Sequence, residues 1–280
     1  MTLSASDYEF MQSLVCDRSA IVLEANKEYL VEARLIPVAK REGFETLADM
    51  IAALRKGAPA LVTKCIEAMT TNETSFFRDS SPFEAMKSTI IPDLMKAREA
   101  SRTINIWSAA CSSGQEVYSL GMLLRESFPG LLTWNVQFLA TDLAQGMVDR
   151  TAKGSFSQLE VNRGLPALLL VKYFNKVGPD WQIKDELRAK VTARQMNLAQ
   201  EWRDVPMMDV VFLRNVLIYF SVETRRQILG RVKRVLKPDG TLFLGSAETT
   251  LNIDDSWERI TINGVSCYRV RDANPAKMAA

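Results

Sequence analysis

The sequence predicts an α/β protein in which an all-helical N-terminal domain precedes a domain built on a parallel β-sheet. Between Ser6 and Met69 the residue patterns indicate helices only. After residue 100, short apolar runs of strand length alternate with helical stretches, which is typical of a parallel sheet covered on both faces. The predicted division lies near residue 75 and gives an N-terminal domain over 1–75 and a second domain over 76–280.

The N-terminal helices are predicted from their boundaries. Ser6-Asp7-Tyr8-Glu9 has the spacing of a capping box and predicts the start of a first helix. Ser81-Pro82-Phe83-Glu84 marks the start of a connecting helix, because proline is favoured in the first helical turn. The further helices, including the connecting one, are predicted over residues 26–42, 46–55, 61–69 and 81–96.

The second domain is predicted to carry its ligand at one edge of the sheet, because ligands of such sheets bind at the carboxyl ends of the strands. Two polar, alternating runs around Val177-Gly178-Pro179-Asp180 predict an inserted β-hairpin over about residues 172–198. The predicted strands cover 104–108, 136–141, 208–213 and 241–245, and the predicted helices cover 115–127, 144–151 and 224–236.

Composition excludes several classes of function. With 35 basic and 33 acidic residues, the net charge of +2 is too balanced for a nucleic-acid-binding protein. Four scattered cysteines without C-x-x-C spacing predict reduced thiols and no metal site. A polar N-terminus and the lack of a long apolar run predict a soluble, cytoplasmic protein that does not insert into a membrane. There is no histidine, so the chemistry must proceed without the commonest general base.

Two strand ends carry residues suited to a nucleoside ligand. Small residues between Ala109 and Gly114 let the backbone approach a ligand in front of a helix N-terminus, although a purely structural tight turn fits them about as well. Asp142 ends the second strand, where a carboxylate can bind ribose hydroxyls or cap the next helix. Together these residues favour nucleoside binding, but they do not distinguish NAD from S-adenosylmethionine.

A polar segment between the two domains carries a family signature. Thr70-Thr71-Asn72-Glu73-Thr74-Ser75-Phe76-Phe77-Arg78-Asp79 resembles the signature of the CheR family, the chemotaxis receptor glutamate methyltransferases. The order and spacing of the motifs agree over about residues 6–271. Two positions depart from the family pattern: Val117 stands where proline is usual, and Gly245-Ser246-Ala247-Glu248 stands where Gly-His-Ser-Glu is usual. Three further stretches match, namely Ala109-Ala110-Cys111-Ser112-Ser113-Gly114-Gln115-Glu116, Phe212-Leu213-Arg214-Asn215-Val216-Leu217-Ile218-Tyr219-Phe220, and Leu236-Lys237-Pro238-Asp239-Gly240 with Phe243-Leu244-Gly245.

The resemblance implies a Rossmann-like, S-adenosylmethionine-dependent methyltransferase domain with an inserted small β subdomain, preceded by an all-α N-terminal domain. It implies S-adenosylmethionine as cofactor and S-adenosylhomocysteine as product. Asn197 and Leu198 would border the adenine, while the division of Glu116 and Asp142 between the ribose and the amino acid part stays open. The implied catalytic residues are Arg78, Arg214 and Tyr219. The implied cofactor-binding residues are Asn72, Thr74, Arg78, Glu116, Asp142, Asn197, Leu198, Arg214 and Asn215.

The implied reaction suits a protein without histidine. A glutamate side chain has a reference pKa of about 4.3 and is already an anion at neutral pH, so it needs no general base to attack a sulfonium methyl. Arg78 and Arg214 are suited to steering this carboxylate, and the Tyr219 hydroxyl to orienting it. We expect the arginine that meets the glutamate to make a single hydrogen bond, because a tight ground-state pair would raise the barrier.

A basic stripe predicts where the partner binds. Lys27, Arg34 and Arg41 recur every seven residues and so share roughly one helix face, which is either an ordinary solvated face or a docking surface. The resemblance favours docking on the acidic helical bundle of methyl-accepting chemoreceptors, with the inserted hairpin as a second contact. The alternatives are a methyltransferase of another protein and a non-catalytic signalling module that binds S-adenosylmethionine.

Overall fold

The computed structural model describes residues 3–271, so residues 272–280 of the predicted second domain lie outside the described residues. The N-terminal domain is all-helical, as predicted. Its helices enclose a core of their own around the fully buried Met11, Val15, Leu35 and Met50. These helices are α1 Ala5–Ser19, α2 Glu28–Arg41, α3 Leu47–Arg55 and α4 Pro59–Met69.

The cap of the first helix differs from the prediction. Ser4, not Ser6, is the N-cap residue, with φ −71° and ψ 152°, and its hydroxyl accepts a hydrogen bond from the Asp7 N–H at 3.2 Å. Ser4 also donates to the Asp7 carboxylate at 2.7 Å. Both serines are good N-cap residues, and each has an acidic residue three positions later, so this local pattern does not choose between them.

The second domain alternates strands and helices after a connecting helix, which confirms the predicted fold class. The small elements over residues 155–183, which include a three-stranded sheet, form the inserted subdomain. In chain order the elements are α5 Ser81–Ala85, a π-helical turn Met86–Ile90, α6 Ile91–Ala97, β1 Thr103–Ala109, α7 Gln115–Ser127, a 3-10 turn Pro129–Thr133, β2 Asn135–Asp142, α8 Gln145–Lys153, β3 Ser155–Phe156, α9 Gln158–Asn162, α10 Ala167–Tyr173, β4 Phe174–Val177, β5 Asp180–Ile183, α11 Asp185–Arg188, β6 Val191–Gln195, β7 Met208–Leu213, a 3-10 turn Leu217–Tyr219, α12 Val222–Val235, β8 Leu236–Leu244, β9 Trp257–Ile262 and β10 Val265–Val270.

Seven strands of the described chain form one sheet in the order β6-β2-β1-β7-β8-β10-β9. Neighbours from β6 to β8 are parallel, whereas β10 is antiparallel to both β8 and β9. The strand order reverses on either side of β1, and such a switch point creates a crevice at the carboxyl ends of the strands. Ala109 on β1 lies opposite Thr141 on β2 and Leu213 on β7, so these three strands end at the same level.

Both faces of the sheet are covered, as the alternating pattern predicts. Ile104 and Ile106 of β1 pack into one buried cluster, and Trp107 and Ala109 pack into the cluster on the opposite face. This division follows from the period of two in a β-strand, with consecutive side chains on opposite faces. The central strand is therefore rigidly held, and the loop that follows it starts from a fixed position.

The region 172–198, which was predicted to be one inserted hairpin, is divided between the inserted subdomain and the main sheet. β4 and β5 form the predicted hairpin, but β3 adds a third strand from before the predicted start. β6 pairs with β2 and belongs to the main sheet. As an edge strand, Val191–Gln195 is only partly buried, which explains why its polar, alternating sequence resembles a hairpin strand. Phe76 packs edge-on against Phe156 at a ring-centroid distance of 5.0 Å and so fixes the subdomain to the interdomain segment.

Candidate active site

A cleft opens at the carboxyl ends of the central strands, next to the helical domain. Ser19 and Ile21 of the helical domain contribute to its wall, so the cleft lies between the two domains. All ten residues predicted for the site line this one cleft: Asn72, Thr74, Arg78, Glu116, Asp142, Asn197, Leu198, Arg214, Asn215 and Tyr219.

The loop after β1 brings its backbone to the cleft through left-handed residues. Ala110, Ser112 and Gly114 have φ of 58°, 50° and 96°. For the two non-glycine residues this conformation costs roughly 1–2 kcal/mol each, and such strain is concentrated where function positions the backbone. At Gly114 a Cβ would lie 3.0 Å from the Thr151 side chain, so glycine is favoured at this position both by its left-handed conformation and by this close contact.

Asp142 closes a turn at the end of β2 and does not cap the next helix, whose N-cap residue is Ala144; its expected contact with the ribose stays a prediction. Its side chain is buried, and its two oxygens accept hydrogen bonds from the N–H of Ser112 at 2.8 Å and of Ala144 at 3.0 Å. Burial raises the pKa of the Asp142 carboxyl, and these backbone donors offset the rise only in part. Asp142 therefore caps the local turn, and each oxygen keeps a further lone pair for a ligand.

Arg214 is bonded to the protein through its two terminal nitrogens, whereas its buried Nε has no partner within residues 3–271, so its expected contact with the substrate carboxylate stays a prediction. Its side chain is 3% exposed. Nη1 donates to Glu116 Oε2 at 2.8 Å, and Nη2 donates to Asp79 Oδ2 at 2.8 Å and to the Arg78 carbonyl at 3.0 Å. Ser108 donates to the other Glu116 oxygen at 2.7 Å. Arg214 thus ties the interdomain segment to the start of α7 and holds the Glu116 carboxylate in place.

Arg34 differs from the other members of the predicted basic stripe. One terminal nitrogen donates to the Met69 carbonyl, and the other donates to Thr71 Oγ1 at 2.7 Å. Burial lowers the pKa of the Arg34 guanidinium. Arg41, by contrast, is 67% exposed and lies 3.8 Å from Glu42. Arg34 therefore anchors the beginning of the interdomain segment and is not a free surface charge.

The rest of the interdomain segment is held by side-chain contacts on both sides. Asn72 donates to Thr70 Oγ1 at 3.0 Å, and its carbonyl accepts the Ser112 hydroxyl at 2.7 Å. Arg78 donates through Nη1 to the Glu73 carbonyl at 2.9 Å. This is the one hydrogen bond of the Arg78 side chain within residues 3–271, so most of its donors remain available to a ligand.

The loop after β7 joins the helical domain. Val22 N–H donates to the Tyr219 carbonyl at 2.9 Å, and Ile21 forms an isolated antiparallel bridge with Phe220. On the other side of the cleft, Asn197 donates to the Arg18 carbonyl at 2.8 Å. The end of α1 and the residues that follow it thus contact the loops on two opposite sides of the cleft.

Glu248 and Arg34 shape the site although the sequence patterns did not assign them to it. Glu248 accepts backbone N–H groups from the loop that follows β7. A signal for Glu248 was present, because a carboxylate three residues beyond the end of a predicted strand can reach the neighbouring strand end. No local pattern distinguishes Arg34 from Lys27 and Arg41, since its partners lie more than thirty residues away in the chain.

Within residues 3–271 no helix has both the length and the apolar character needed to cross a bilayer. The same part of the chain has no cluster of side chains with metal-ligand spacing.

The thiols of Cys65, Cys111 and Cys267 are buried and Cys16 is exposed. Burial raises the pKa of Cys65 and Cys267 to about 11 each, so these two thiols are unreactive at neutral pH.

Comparisons with known proteins agree with this architecture. A family model described as the CheR methyltransferase all-alpha domain matches residues 6–70, and one described as the CheR methyltransferase SAM binding domain matches residues 72–264. Chemotaxis protein methyltransferase 1 of Pseudomonas aeruginosa is 38% identical, over 97% of this chain and 100% of the relative. Chemotaxis protein methyltransferase Cher2 of Pseudomonas putida is 35% identical over 97% and 100%, and chemotaxis protein methyltransferase 1 of Vibrio cholerae is 33% identical over 97% and 99%. The chain therefore belongs to the CheR family of S-adenosylmethionine-dependent methyltransferases, and the resemblance found in its motifs is confirmed.

Proposed function

We propose that the cleft binds S-adenosylmethionine and that the protein transfers its methyl group to glutamate side chains of bacterial chemoreceptors. The observation that carries this proposal is the convergence of all ten predicted site residues on one interdomain cleft. The relatives named chemotaxis protein methyltransferases support the receptor as substrate. Lacking a histidine, the chain is suited to an acceptor that is already anionic.

The sheet order suggests how the cofactor lies in the cleft. Asp142 ends β2, and Asn197 and Leu198 follow β6, so these residues stand on the same side of β1. Glu116 follows β1 and is bonded to Arg214, which follows β7 on the other side. We therefore assign Asp142 to the ribose, with Asn197 and Leu198 near the adenine, and Glu116 to the amino acid part.

The residues of the cleft fit this cofactor. Asp142 is a buried acceptor with lone pairs left over, as ribose hydroxyl groups require. The left-handed turns at Ala110 and Ser112 expose backbone where a ligand would lie. Glu116 offers a carboxylate to an ammonium group and is itself held by Ser108 and Arg214. When bound, the cofactor supplies an electrophilic methyl group, so the protein is left with the task of positioning.

Positioning of the acceptor carboxylate falls to Arg78 and Tyr219. Arg78 uses one of its five N–H groups on the Glu73 carbonyl and can offer another to the incoming anion. A single contact of this kind orients the carboxylate without the tight ground-state pair that would raise the barrier. Tyr219 lines the same cleft, and its backbone is fixed to Val22 of the helical domain.

Receptor docking is assigned to the exposed part of the basic stripe and to the inserted hairpin. Lys27 and Arg41 lie at the two ends of α2, and Arg41 is largely exposed. Positive charge at these places favours an acidic helical bundle, because complementary charge speeds association at low salt. Arg34 keeps its place in the stripe but also holds the interdomain segment, so it connects docking to the cofactor cleft.

The experiment is transfer of a labelled methyl group from S-adenosylmethionine to membranes that contain chemoreceptors, with and without the protein. We expect label on the receptor, and we expect mild alkali to release it, because a carboxyl methyl ester hydrolyses where an N-methyl group does not. Label that survives alkali would assign the protein to another acceptor chemistry. Cofactor binding without transfer to any membrane protein would favour the non-catalytic alternative.

A further inference from the structure

Glu248 gathers five backbone N–H groups around a single carboxylate. Oε1 accepts the N–H of Val216 at 2.8 Å, of Leu217 at 2.7 Å and of Ile218 at 3.3 Å. Oε2 accepts the N–H of Asn215 at 2.8 Å and that of Gly245 at 2.6 Å. Hydrogen bonds to an ionised acceptor are roughly twice as strong as neutral ones. The Glu248 carboxylate therefore holds the backbone of the loop after β7 in place.

The donors belong to two neighbouring strand ends. Residues 215–218 follow β7 and lead into the 3-10 turn Leu217–Tyr219, whose first N–H groups have no partner within the turn. Gly245 directly follows β8, the parallel neighbour of β7. Glu248 therefore serves as the N-terminal cap of a turn that lies about thirty residues earlier in the chain, and it joins the ends of the two strands.

The backbone around this carboxylate leaves no room for a side chain at position 245. A Cβ at Gly245 would lie 2.7 Å from Asn215 Nδ2, 2.7 Å from Glu248 Oε2 and 2.8 Å from the Asn215 nitrogen. Asn215 has φ 58°, a conformation that a short polar residue tolerates. The glycine, the left-handed asparagine and the glutamate form one interlocked junction, and Asn215 and Tyr219 extend from it to the cleft.

We propose that Glu248 is a positioning residue for methyl transfer, acting through the turn that carries Asn215 and Tyr219. This inference rests on the proposed function of the cleft and adds a residue to it. Asp142 is held by the loop after β1, through the Ser112 N–H, and lies outside this junction. Loss of Glu248 should therefore act first on Asn215 and Tyr219 and leave the contacts of Asp142 in place.

The first test is the effect of Glu248→Gln on the separate kinetic constants. Glutamine keeps one acceptor oxygen but places a donor against the N–H groups that the other oxygen now accepts. We expect kcat to fall at least about tenfold with a much smaller change in the KM for S-adenosylmethionine. Asp255→Asn, which removes an exposed carboxylate further along the same loop region, should leave both constants unchanged.

A double-mutant cycle separates positioning from general stability. If Glu248 acts through Tyr219, then adding Glu248→Gln to Tyr219→Phe should cost much less than Glu248→Gln costs alone, because coupled residues are non-additive. Fully additive effects would overturn the proposal. A Glu248→Gln protein with wild-type kcat would also overturn the proposal, whether or not its melting temperature has fallen.

Hydrogen exchange in the unsubstituted protein tests the same junction without a variant. The N–H groups of Val216 and Leu217 should exchange slowly, although Ile218 beside them is 45% exposed, because the Glu248 carboxylate holds them. Rapid exchange of both would overturn the proposal even if Glu248→Gln failed to fold. Wild-type methyl transfer, measured in parallel, shows separately whether the proposed function itself holds.

Discussion

Asparagine in place of Asp142 is the substitution that tests the cofactor site with the least disturbance. The side chain is buried, and its oxygens accept the N–H groups of Ser112 and Ala144. Asparagine keeps one acceptor and converts the other position into a donor, so one N–H loses its partner. The unfolding free energy should fall by about 1–3 kcal/mol. Removal of the buried charge offsets part of this loss, since burial penalises the carboxylate and raises the pKa of Asp142.

The effect on cofactor affinity should be larger than this structural cost suggests. A hydrogen bond to a charged acceptor contributes about 1.5–3 kcal/mol, so its loss should raise the Kd about 10- to 150-fold. Asp149→Asn makes the same chemical change on the exposed surface of α8 and should leave the Kd within about twofold. The two variants together separate loss of a cleft acceptor from loss of one negative charge.

The assay is isothermal titration calorimetry with S-adenosylhomocysteine, which binds the same cleft and does not react. Both variants should first be shown to be folded by their thermal transitions, and the titrations should be run well below them. If folded Asp142→Asn binds the product as tightly as Asp149→Asn does, the assignment of Asp142 to the ribose is wrong, and the acceptor must lie elsewhere in the cleft.

Three further predictions follow from the same contacts. Because burial raises the pKa of Asp142 and the charged form is the acceptor, cofactor affinity should fall on acidification already above the ordinary range for aspartate, and titrations of Asp142→Asn should lack this fall. Arg78→Ala should lower turnover at least about tenfold, or about 1.4 kcal/mol, at an unchanged melting temperature; wild-type turnover in steady-state assays on receptor would remove Arg78 from the mechanism. Arg34→Met should weaken product binding in calorimetry, because both contacts to the interdomain segment are lost. Arg41→Met should change only the receptor KM and its dependence on salt. Equal cofactor affinity in these two variants would refute the anchoring role of Arg34.

Local signals account for the parts of the fold that the sequence predicts well. α7 runs from Gln115 to Ser127 as expected, because Gly114 precedes it in a left-handed conformation and one of its faces is apolar. β8 begins at Leu236, well before the predicted start at residue 241, although Lys237-Pro238-Asp239-Gly240 has the composition of a turn. Its pairing with β7 is irregular at this point, so the tertiary contact of Leu236 with Met208 overrides the local preference.

The candidate site could be located from the sequence, but its internal bonds could not. Strand ends and motifs indicate which residues meet, because parallel strands finish at one edge of the sheet. They do not indicate that the terminal nitrogens of Arg214 bond to Glu116 and Asp79, or that Arg34 supports the interdomain segment. Those contacts join residues far apart in the chain, and only packing of the two domains decides which of several similar side chains reaches its partner.

Peptide mapping of a purified receptor cytoplasmic domain tests the central claim most directly. The domain would be incubated with S-adenosylmethionine and either the wild-type protein or Arg78→Ala, and methylated positions would be located by mass spectrometry. We predict methyl esters on glutamate side chains of the receptor helices with the wild-type protein and far fewer with Arg78→Ala. Methyl groups on lysine or another side chain, or none while the cofactor binds normally, would contradict the account.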